Sequence, residues 1–133
     1  MKKVKVDTPN APRPRGAYST AIRCGDFVFV AGQSSRDMEL RVVGDTIEDQ
    51  TRQTLQNIQT ILDDVGARLH DVVKSTVHLS DLTMFQRYDT VYAAMMPEPR
   101  PVRTTVGSVL APGIMIEIDV VAYLGFPNQT EHG

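Results

Sequence analysis

Two predicted strands of this chain need apolar partners on both of their faces, and this requirement is the strongest constraint on its fold. Every second side chain of residues 114–123 is apolar, so one face of that strand is wholly apolar: Ile114, Ile116, Ile118, Val120 and Ala122. The other face mixes apolar and acidic groups: Met115, Glu117, Asp119, Val121 and Tyr123. Residues 27–31 are apolar without interruption, which is typical of a strand that is covered on both faces.

Turn and capping signals divide the rest of the chain into further elements. Strands are predicted over residues 17–23, 27–31, 40–43, 72–79, 102–110 and 114–123, and helices over 46–65 and 82–96. Asp45 or Thr46 is the expected cap of the first helix, and Gly66 is its expected C-terminal stop. Hairpin turns are predicted at Gly25 and at residues 111–113, which read Ala-Pro-Gly.

This order of elements predicts an α+β domain in which one six-stranded sheet carries two helices on one face. Two helices cover only one side of a sheet, so the partly apolar second side predicts an interface with another subunit, and we expect a homo-oligomer. The whole chain, residues 1–133, is expected to form one domain. An extended, proline-rich lead-in over 1–15 and a frayed tail over 126–133 are expected at its ends.

The composition argues against several classes of function. The chain has 41% hydrophobic and 23% charged residues, and no apolar run approaches the roughly 20 residues that span a bilayer. Its N-terminus lacks the apolar segment of a signal peptide, so we expect a cytoplasmic protein without a membrane partner. One cysteine and three histidines without ligand spacing predict neither a metal site nor a metal cofactor. A net charge of −2 without a basic stripe argues against a nucleic-acid partner.

Arg103 is the residue that the sequence singles out for chemistry. It follows three prolines in the segment PEPRPVRTTV, residues 97–106, which fix the backbone that leads into the strand over 102–110. The more apolar positions of that strand are predicted to face the helices, so Arg103 is expected on the opposite face with Glu117 and Asp119. A rigid guanidinium there suits a planar carboxylate, and an interface salt bridge to Glu117 or Asp119 is the alternative. Arg100 is expected to be a surface residue.

Seven short motifs in register resemble one known family. They are Gly16-Ala17-Tyr18-Ser19, Phe29-Val30-Ala31-Gly32-Gln33, Gln50-Thr51 with Asn57, Asp71-Val72-Val73-Lys74, Val91-Tyr92, Pro101-Val102-Arg103-Thr104 and Glu117-Ile118-Asp119. From about Pro12 to Tyr123 the chain is similar to the RidA/YjgF family of imine and enamine deaminases, once grouped under an endoribonuclease name.

The resemblance implies a chorismate-mutase-like fold and a homotrimer in which the sheets form a central barrel. It also implies cofactor-independent hydrolysis of reactive 2-imino or enamino acids to 2-oxo acids and ammonia, in clefts between subunits. Arg103 matches the arginine that grips the substrate carboxylate, and Glu117 is expected to orient or deprotonate the attacking water. Tyr18 and Glu117 match other residues that line the family's site, and a backbone carbonyl near Gly32 or Thr105 is expected to assist.

Three other pocket positions depart from the family's pattern. Ala31 stands where many members have serine, Asp89 where many have asparagine, and Thr105 where many have cysteine. These departures leave open which carboxylate-bearing imine or enamine is the substrate. A dicarboxylate such as 2-aminomuconate would suit a second cation, for which the candidates are Arg13, Arg15, Arg36 and Arg100.

Two other classes of function remain open from the sequence. One is a trimer that binds small molecules or other proteins without turnover, which the departures at Ala31 and Thr105 make conceivable. The other is an RNA-cleaving protein, which the family's older name suggests and the acidic balance of the chain opposes.

Overall fold

The computed structural model describes residues 2–125, and the tail predicted to be frayed lies outside the described residues. The strands are β1 (Lys3–Lys5), β2 (Ala21–Cys24), β3 (Phe27–Ser34), β4 (Val72–Leu79), β5 (Val102–Gly107) and β6 (Ile116–Tyr123). The helices are α1 (Ile47–Asp63) and α2 (Phe85–Met95). Two short 3₁₀ turns, Leu69–Asp71 and Leu82–Met84, directly precede β4 and α2.

Helix α1 begins and ends close to its predicted capping residues. The Asp49 amide donates a hydrogen bond of 3.1 Å to the hydroxyl of Thr46, which caps the first turn. Glu48 and Asp49 place negative charge at the positive end of the helix dipole. Gly66, just beyond the last turn, has a φ of +74°, a conformation that favours glycine and turns the chain out of the helix.

The six strands form one sheet in the order β1-β2-β3-β6-β4-β5. All neighbouring strands are antiparallel except β4 and β5, which are parallel and joined by a crossover through α2. The predicted class is therefore confirmed: an α+β fold with a mostly antiparallel, mixed six-stranded sheet and two helices.

One side of this sheet, which we call the helix face, packs against α1 and α2. It carries the buried side chains of alternate strand positions: Val28, Val30, Val77, Leu79, Ile116, Ile118, Val120 and Ala122. Leu55, Ile58, Ile61 and Leu62 of α1 are fully buried in the same apolar core. Full burial of each such side chain stabilises the fold by about 1.5–3 kcal/mol, so this face accounts for much of the stability.

The other side, which we call the open face, carries no helix within residues 2–125. Phe27 and Phe29 point to it and are 43% and 46% exposed, and Val102 and Val106 are exposed there as well. The two-sided apolar character predicted for β3 is thus confirmed. Exposed aromatic and aliphatic side chains on a flat sheet support the expectation that another subunit covers this face.

The prediction of a strand over residues 40–43 is wrong. Only an isolated bridge joins Arg36 to Val42, and Leu40 has a φ of +68°, which interrupts any extended run. The carboxylate of Asp37 instead accepts hydrogen bonds from the amides of Glu39 and Arg41, at 3.0 and 2.9 Å, and thereby organises a loop.

The hairpin predicted at residues 111–113 is also wrong. A turn does occur there, but β6 inserts between β3 and β4, while β5 pairs only with β4. The wholly apolar face of β6 is buried only if the strand lies at the centre of the sheet, beneath the helices. This long-range packing requirement overrides the local turn signal at residues 111–113. The lead-in contains a strand, β1, that the sequence pattern did not predict. It is three residues long and fully exposed, so it has no apolar alternation, and it is held by pairing with β2.

None of the helices formed by residues 2–125 is long and apolar enough to cross a membrane.

Candidate active site

Arg103 lies on the helix face of the sheet and not on the open face, so its predicted orientation is wrong. In the parallel β4–β5 ladder, Arg103 pairs with Ser75, and Thr105 pairs with Val77. The side chains of Ser75 and Val77 are buried beneath the helices, so Arg103 and Thr105 point to the same side of the sheet. The apolar set of β5, Val102 included, is exposed on the open face. The side chains of β5 do alternate between the two faces as predicted, but the partners of Arg103 lie on α2.

Arg103 is held by a carboxylate and three aromatic rings of α2. Its Nη1 donates a 2.7 Å hydrogen bond to Asp89 Oδ1, with 22% and 35% of the two side chains exposed. Its Cζ lies 4.7, 5.1 and 5.5 Å from the ring centres of Tyr92, Tyr88 and Phe85. A cation over an aromatic face gains about 0.5–2 kcal/mol, and the ion pair offsets part of the cost of removing the charge from water.

Two hydroxyl pairs fix the rings on which Arg103 rests. Tyr88 shares a 2.6 Å hydrogen bond with Thr105, and Tyr92 shares one of 2.7 Å with Ser75. Burial raises the pKa of both tyrosines, although the nearby charge of Arg103 acts in the opposite direction. Both phenols therefore stay protonated at neutral pH, and the arginine rests on rigid, uncharged rings.

Part of the Arg103 guanidinium remains available to a ligand. Its Nε and Nη2 have no hydrogen-bond partner among residues 2–125, and a cleft of about 310 Å³ opens beside Asp89, Tyr92 and Arg103. Arg100 lines the same cleft, pairs with Glu98 at 2.6 Å and is exposed, which confirms its prediction as a surface residue.

Glu117 lies in a second cleft, of about 170 Å³, which we call the Glu117 cleft. Tyr18 and Gly32 line it together with Glu117, so the structure brings these three predicted residues together. Ala31 does not line this cleft, although it neighbours Gly32 in the irregular part of β3 where its register with β6 shifts. Bulges of this kind often adjoin functional sites because they redirect side chains.

Within one chain the predicted site residues form two separate groups. Arg103, Asp89 and Thr105 belong to the helix side of β5, whereas Glu117 points to the open face between the buried Ile116 and Ile118. The alternative of a salt bridge from Arg103 to Glu117 or Asp119 is therefore wrong within the chain, because Asp89 takes that place.

Sequence reasoning missed the aromatic support of Arg103. Phe85, Tyr88 and Tyr92 recur at helical spacing, which is more typical of core packing than of a site, and Tyr88 and Tyr92 are indeed buried. Their spacing of three and four residues on one helical stripe was the available signal, because it presents three ring faces to a single point.

No group of three or more histidine, cysteine, aspartate or glutamate side chains within residues 2–125 is placed to hold a metal ion. His78 Nδ1 instead lies 2.7 Å from the hydroxyl of Ser108.

The contact between Gly32 and Glu117 generates a test of how the carboxylate is positioned. A Cβ at Gly32 would lie 2.7 Å from Glu117 Oε2 and 2.9 Å from its Cδ, closer than van der Waals contact allows. Because the obstructing atoms are the end of a flexible side chain, Gly32→Ala is expected to displace the carboxylate by several tenths of an ångström. The fold should lose no more than about 1 kcal/mol. A crystal structure and thermal unfolding measure the two effects.

Gly16→Ala is the matched control, because its added Cβ would approach only the Tyr18 ring, at 3.6 Å. An unmoved Glu117 carboxylate in Gly32→Ala, or a fold that collapses, would contradict the prediction.

Comparisons with known proteins agree with the motifs. The family model described as Endoribonuclease L-PSP matches residues 8–124. A RutC family protein of Pyrococcus horikoshii is 45% identical over 125 residues, which are 92% of this chain and 98% of that protein. The Reactive Intermediate Deaminase A of Arabidopsis thaliana is 38% identical over 93% of this chain and 67% of its own length. That relative is named as a chloroplastic protein, so the cytoplasmic location of this chain stays a prediction.

A solved structure shares the fold as well as the sequence. RidA from the Antarctic bacterium Psychrobacter superposes with a TM-score of 0.84 at 34% identity, over 90% of this chain and 98% of that one. Since the family model spans nearly the whole chain and the relatives exceed 30% identity, the chain belongs to the RidA/YjgF family, whose model carries the description Endoribonuclease L-PSP.

Proposed function

We propose that this protein is a hydrolytic deaminase that converts reactive 2-imino or enamino acids to 2-oxo acids and ammonia. The observation that carries the proposal is the Arg103 guanidinium, which is fixed on three rings while its Nε and Nη2 remain available to a carboxylate. The name of the Arabidopsis relative, a reactive intermediate deaminase, supports the reaction class.

The reaction requires orientation and proton transfer but no cofactor. Arg103 holds the substrate carboxylate, so that the electrophilic iminium carbon faces a water molecule next to Glu117. The water oxygen bonds to that carbon while Glu117 accepts a proton, and the product is a carbinolamine. Glu117 returns that proton to the nitrogen, and the hydroxyl then gives up its proton to Glu117 as the carbon–oxygen double bond forms and the carbon–nitrogen bond breaks, which releases ammonia and leaves the 2-oxo acid. Tyr18 shapes the pocket beside the water and donates a hydrogen bond.

The two groups of site residues support a site that is built between subunits. Arg103 and Glu117 lie on opposite faces of one sheet, so a single small substrate cannot contact both within one chain. In the proposed homotrimer, the open face of one subunit adjoins its neighbour, and the Glu117 cleft of one chain meets the Arg103 of the next. The exposed Phe27 and Phe29 on the open face support this association.

Removal of the carboxylate anchor tests the activity. Imino acids are generated in situ from threonine or serine by a dehydratase, and release of the 2-oxo acid is followed. The wild type should accelerate release over the uncatalysed rate, and Arg103→Ala should lose about a hundredfold or more, because the substrate is no longer oriented. Arg103→Lys should be intermediate, since it keeps the charge without the planar fork.

Arg52→Ala is the control, because it removes an exposed arginine paired with Asp49 on the surface of α1. Absence of acceleration by the wild type would refute the deaminase, and full activity of Arg103→Ala would remove Arg103 from its assigned role.

Asp89 competes with the substrate for Arg103, which makes its effect on affinity predictable. Asp89→Asn retains an oxygen that can accept the bond from Nη1 but removes a negative charge beside the incoming carboxylate. KM for the imino acid should fall by roughly five- to tenfold, while kcat changes little. Steady-state kinetics at constant ionic strength measure both.

Glu98→Gln is the matched control, because it removes a carboxylate that pairs with Arg100 beside the same cleft. A KM that stays constant or rises in Asp89→Asn would show that Asp89 positions Arg103 rather than competes for it.

Mixed trimers test whether Arg103 and Glu117 act across an interface. Arg103→Ala and Glu117→Gln chains, each inactive alone, are co-expressed or unfolded and refolded together. With random mixing, each intersubunit site receives both intact residues with a probability of one half times one half, so roughly a quarter of the wild-type activity should return. Mixing without subunit exchange is the control, and failure of exchanged trimers to regain activity would contradict the shared site.

A further inference from the structure

Three arginines converge on the Glu117 cleft. Arg13 and Arg15 lie in the loop that follows β1, Arg36 follows β3, and all three line the same small space as Tyr18, Gly32 and Glu117. Glu117 is the one acidic residue among the described residues that line this cleft, so three positive charges face one negative charge. A local excess of positive charge is unusual in a chain whose net charge is −2.

None of the three arginines forms an ion pair with any residue between 2 and 125. Other arginines of the chain do so: Arg41, Arg52, Arg87, Arg100 and Arg103. Partial burial lowers the pKa of Arg36, and the positive charge of Arg15 lowers it further, while Glu117 and Tyr18 act in the opposite direction. The charged form of Arg36 is therefore under-compensated, and an anion bound in the cleft would relieve this.

The backbone that carries Arg36 is fixed in advance. Asn57 Nδ2 of α1 donates hydrogen bonds to the carbonyls of Ser34 and Arg36, at 3.0 and 2.9 Å. Gln53 in turn donates to Asn57 Oδ1 at 2.9 Å, and Arg36 Nη1 donates to the Leu40 carbonyl at 2.8 Å. A guanidinium held this way loses little conformational freedom when it binds a ligand.

Arg15 is tied to the cleft through Tyr18. The Arg15 amide donates a 3.2 Å hydrogen bond to the Tyr18 hydroxyl, and the Tyr18 amide donates one of 2.9 Å to the Gly16 carbonyl. The backbone of Arg15 is thus held next to Tyr18, and both residues line the cleft.

We propose that Arg13, Arg15 and Arg36 form a subsite for a second anionic group, so that the preferred ligands of this protein are small dicarboxylic acids. The inference rests on the proposed function, in which Arg103 of an adjoining subunit holds the first carboxylate of the ligand. The second carboxylate of the same ligand is assigned to Arg13, Arg15 and Arg36. Two parallel hydrogen bonds from a guanidinium suit a terminal carboxylate.

The size and charge pattern of the cleft favour a small acid over a nucleic acid. A volume of about 170 Å³ is below the roughly 300–1,000 Å³ of clefts that enclose drug-sized ligands, and it forms only one chain's share of a site between subunits. The three arginines line one small cleft instead of following a stripe, whereas a phosphate backbone requires contacts spaced along its length.

Direct binding separates this inference from the deaminase activity. Calorimetric titration of the intact oligomer at constant ionic strength compares 2-oxoglutarate with 2-oxobutyrate; both are 2-oxo acids, and only the first carries a terminal carboxylate. The wild type should bind 2-oxoglutarate at least about tenfold more tightly, and this preference should weaken as salt is raised. Arg36→Gln should reduce the ratio of the two affinities by about threefold, and Arg36→Lys should retain more of it.

Arg23→Gln is the matched control, because Arg23 also donates to a backbone carbonyl, that of Gly25, but does not line the cleft. Its affinity ratio should equal that of the wild type. Melting temperatures confirm that each variant is folded, and an Arg15→Gln/Arg36→Gln double variant should lose more of the preference than Arg36→Gln alone.

Three outcomes would overturn the subsite: no preference for 2-oxoglutarate in the wild type, a preference that survives in the double variant, or displacement of 2-oxoglutarate by a short RNA oligonucleotide. The first two with an intact deaminase would remove the subsite alone. A preference lost in Arg36→Gln, together with no hydrolysis of any imino acid, would instead refute the proposed activity and support the subsite.

Discussion

Packing of α1 and α2 against one face of the sheet determines where each candidate functional group lies. Successive side chains of a strand point to opposite faces, so Arg103 is drawn under α2 while Glu117, between two core isoleucines, must point away from the helices. Only a register shift could bring both to one face, and it would expose the wholly apolar face of β6 to water. Cooperation between these two residues therefore requires a second copy of the chain.

The contacts of Arg103 fix the orientation of its guanidinium but leave it little net charge to attract a distant anion. Asp89 balances its charge, and the rings of Tyr88 and Tyr92 hold its plane, so the pair is close to neutral within the fold. A neutral pair exerts little pull on a distant anion, but an arriving carboxylate meets two N–H groups already in position. In the proposed reaction, Asp89, which stands where the resemblance implies asparagine in many members, thus bears on affinity more than on reaction geometry.

The elements that local signals define were predictable from the sequence. The Thr46 cap, the Gly66 stop and the strict alternation of β6 each correspond to an interaction within a few residues, and each was found where expected. The pairing of β5 and β6 was not, because the Ala-Pro-Gly turn specifies only a reversal of the chain. Which strand takes the centre of the sheet depends on the apolar face of β6 and the cover available to it.

The same distinction between local and long-range signals explains the outcome for the site. The family resemblance grouped Tyr18, Gly32 and Glu117, and they share one cleft. The face of Arg103 could not be read from β5 alone, since Val102 and Val106 are exposed on a sheet edge and the deciding partners stand one element earlier, on α2. An aromatic stripe flanking an aspartate, followed by an arginine on the next strand, is the pattern that would have indicated it.

Charge is balanced around Arg103 and unbalanced in the Glu117 cleft, and in the proposed site between subunits this difference assigns complementary tasks to the two halves. Arg103 has a carboxylate partner, whereas Arg13, Arg15 and Arg36 outnumber Glu117 in the cleft of the open face. Attraction of an anionic ligand would then come mainly from the Glu117 cleft, and its alignment from the Arg103 of the adjoining subunit.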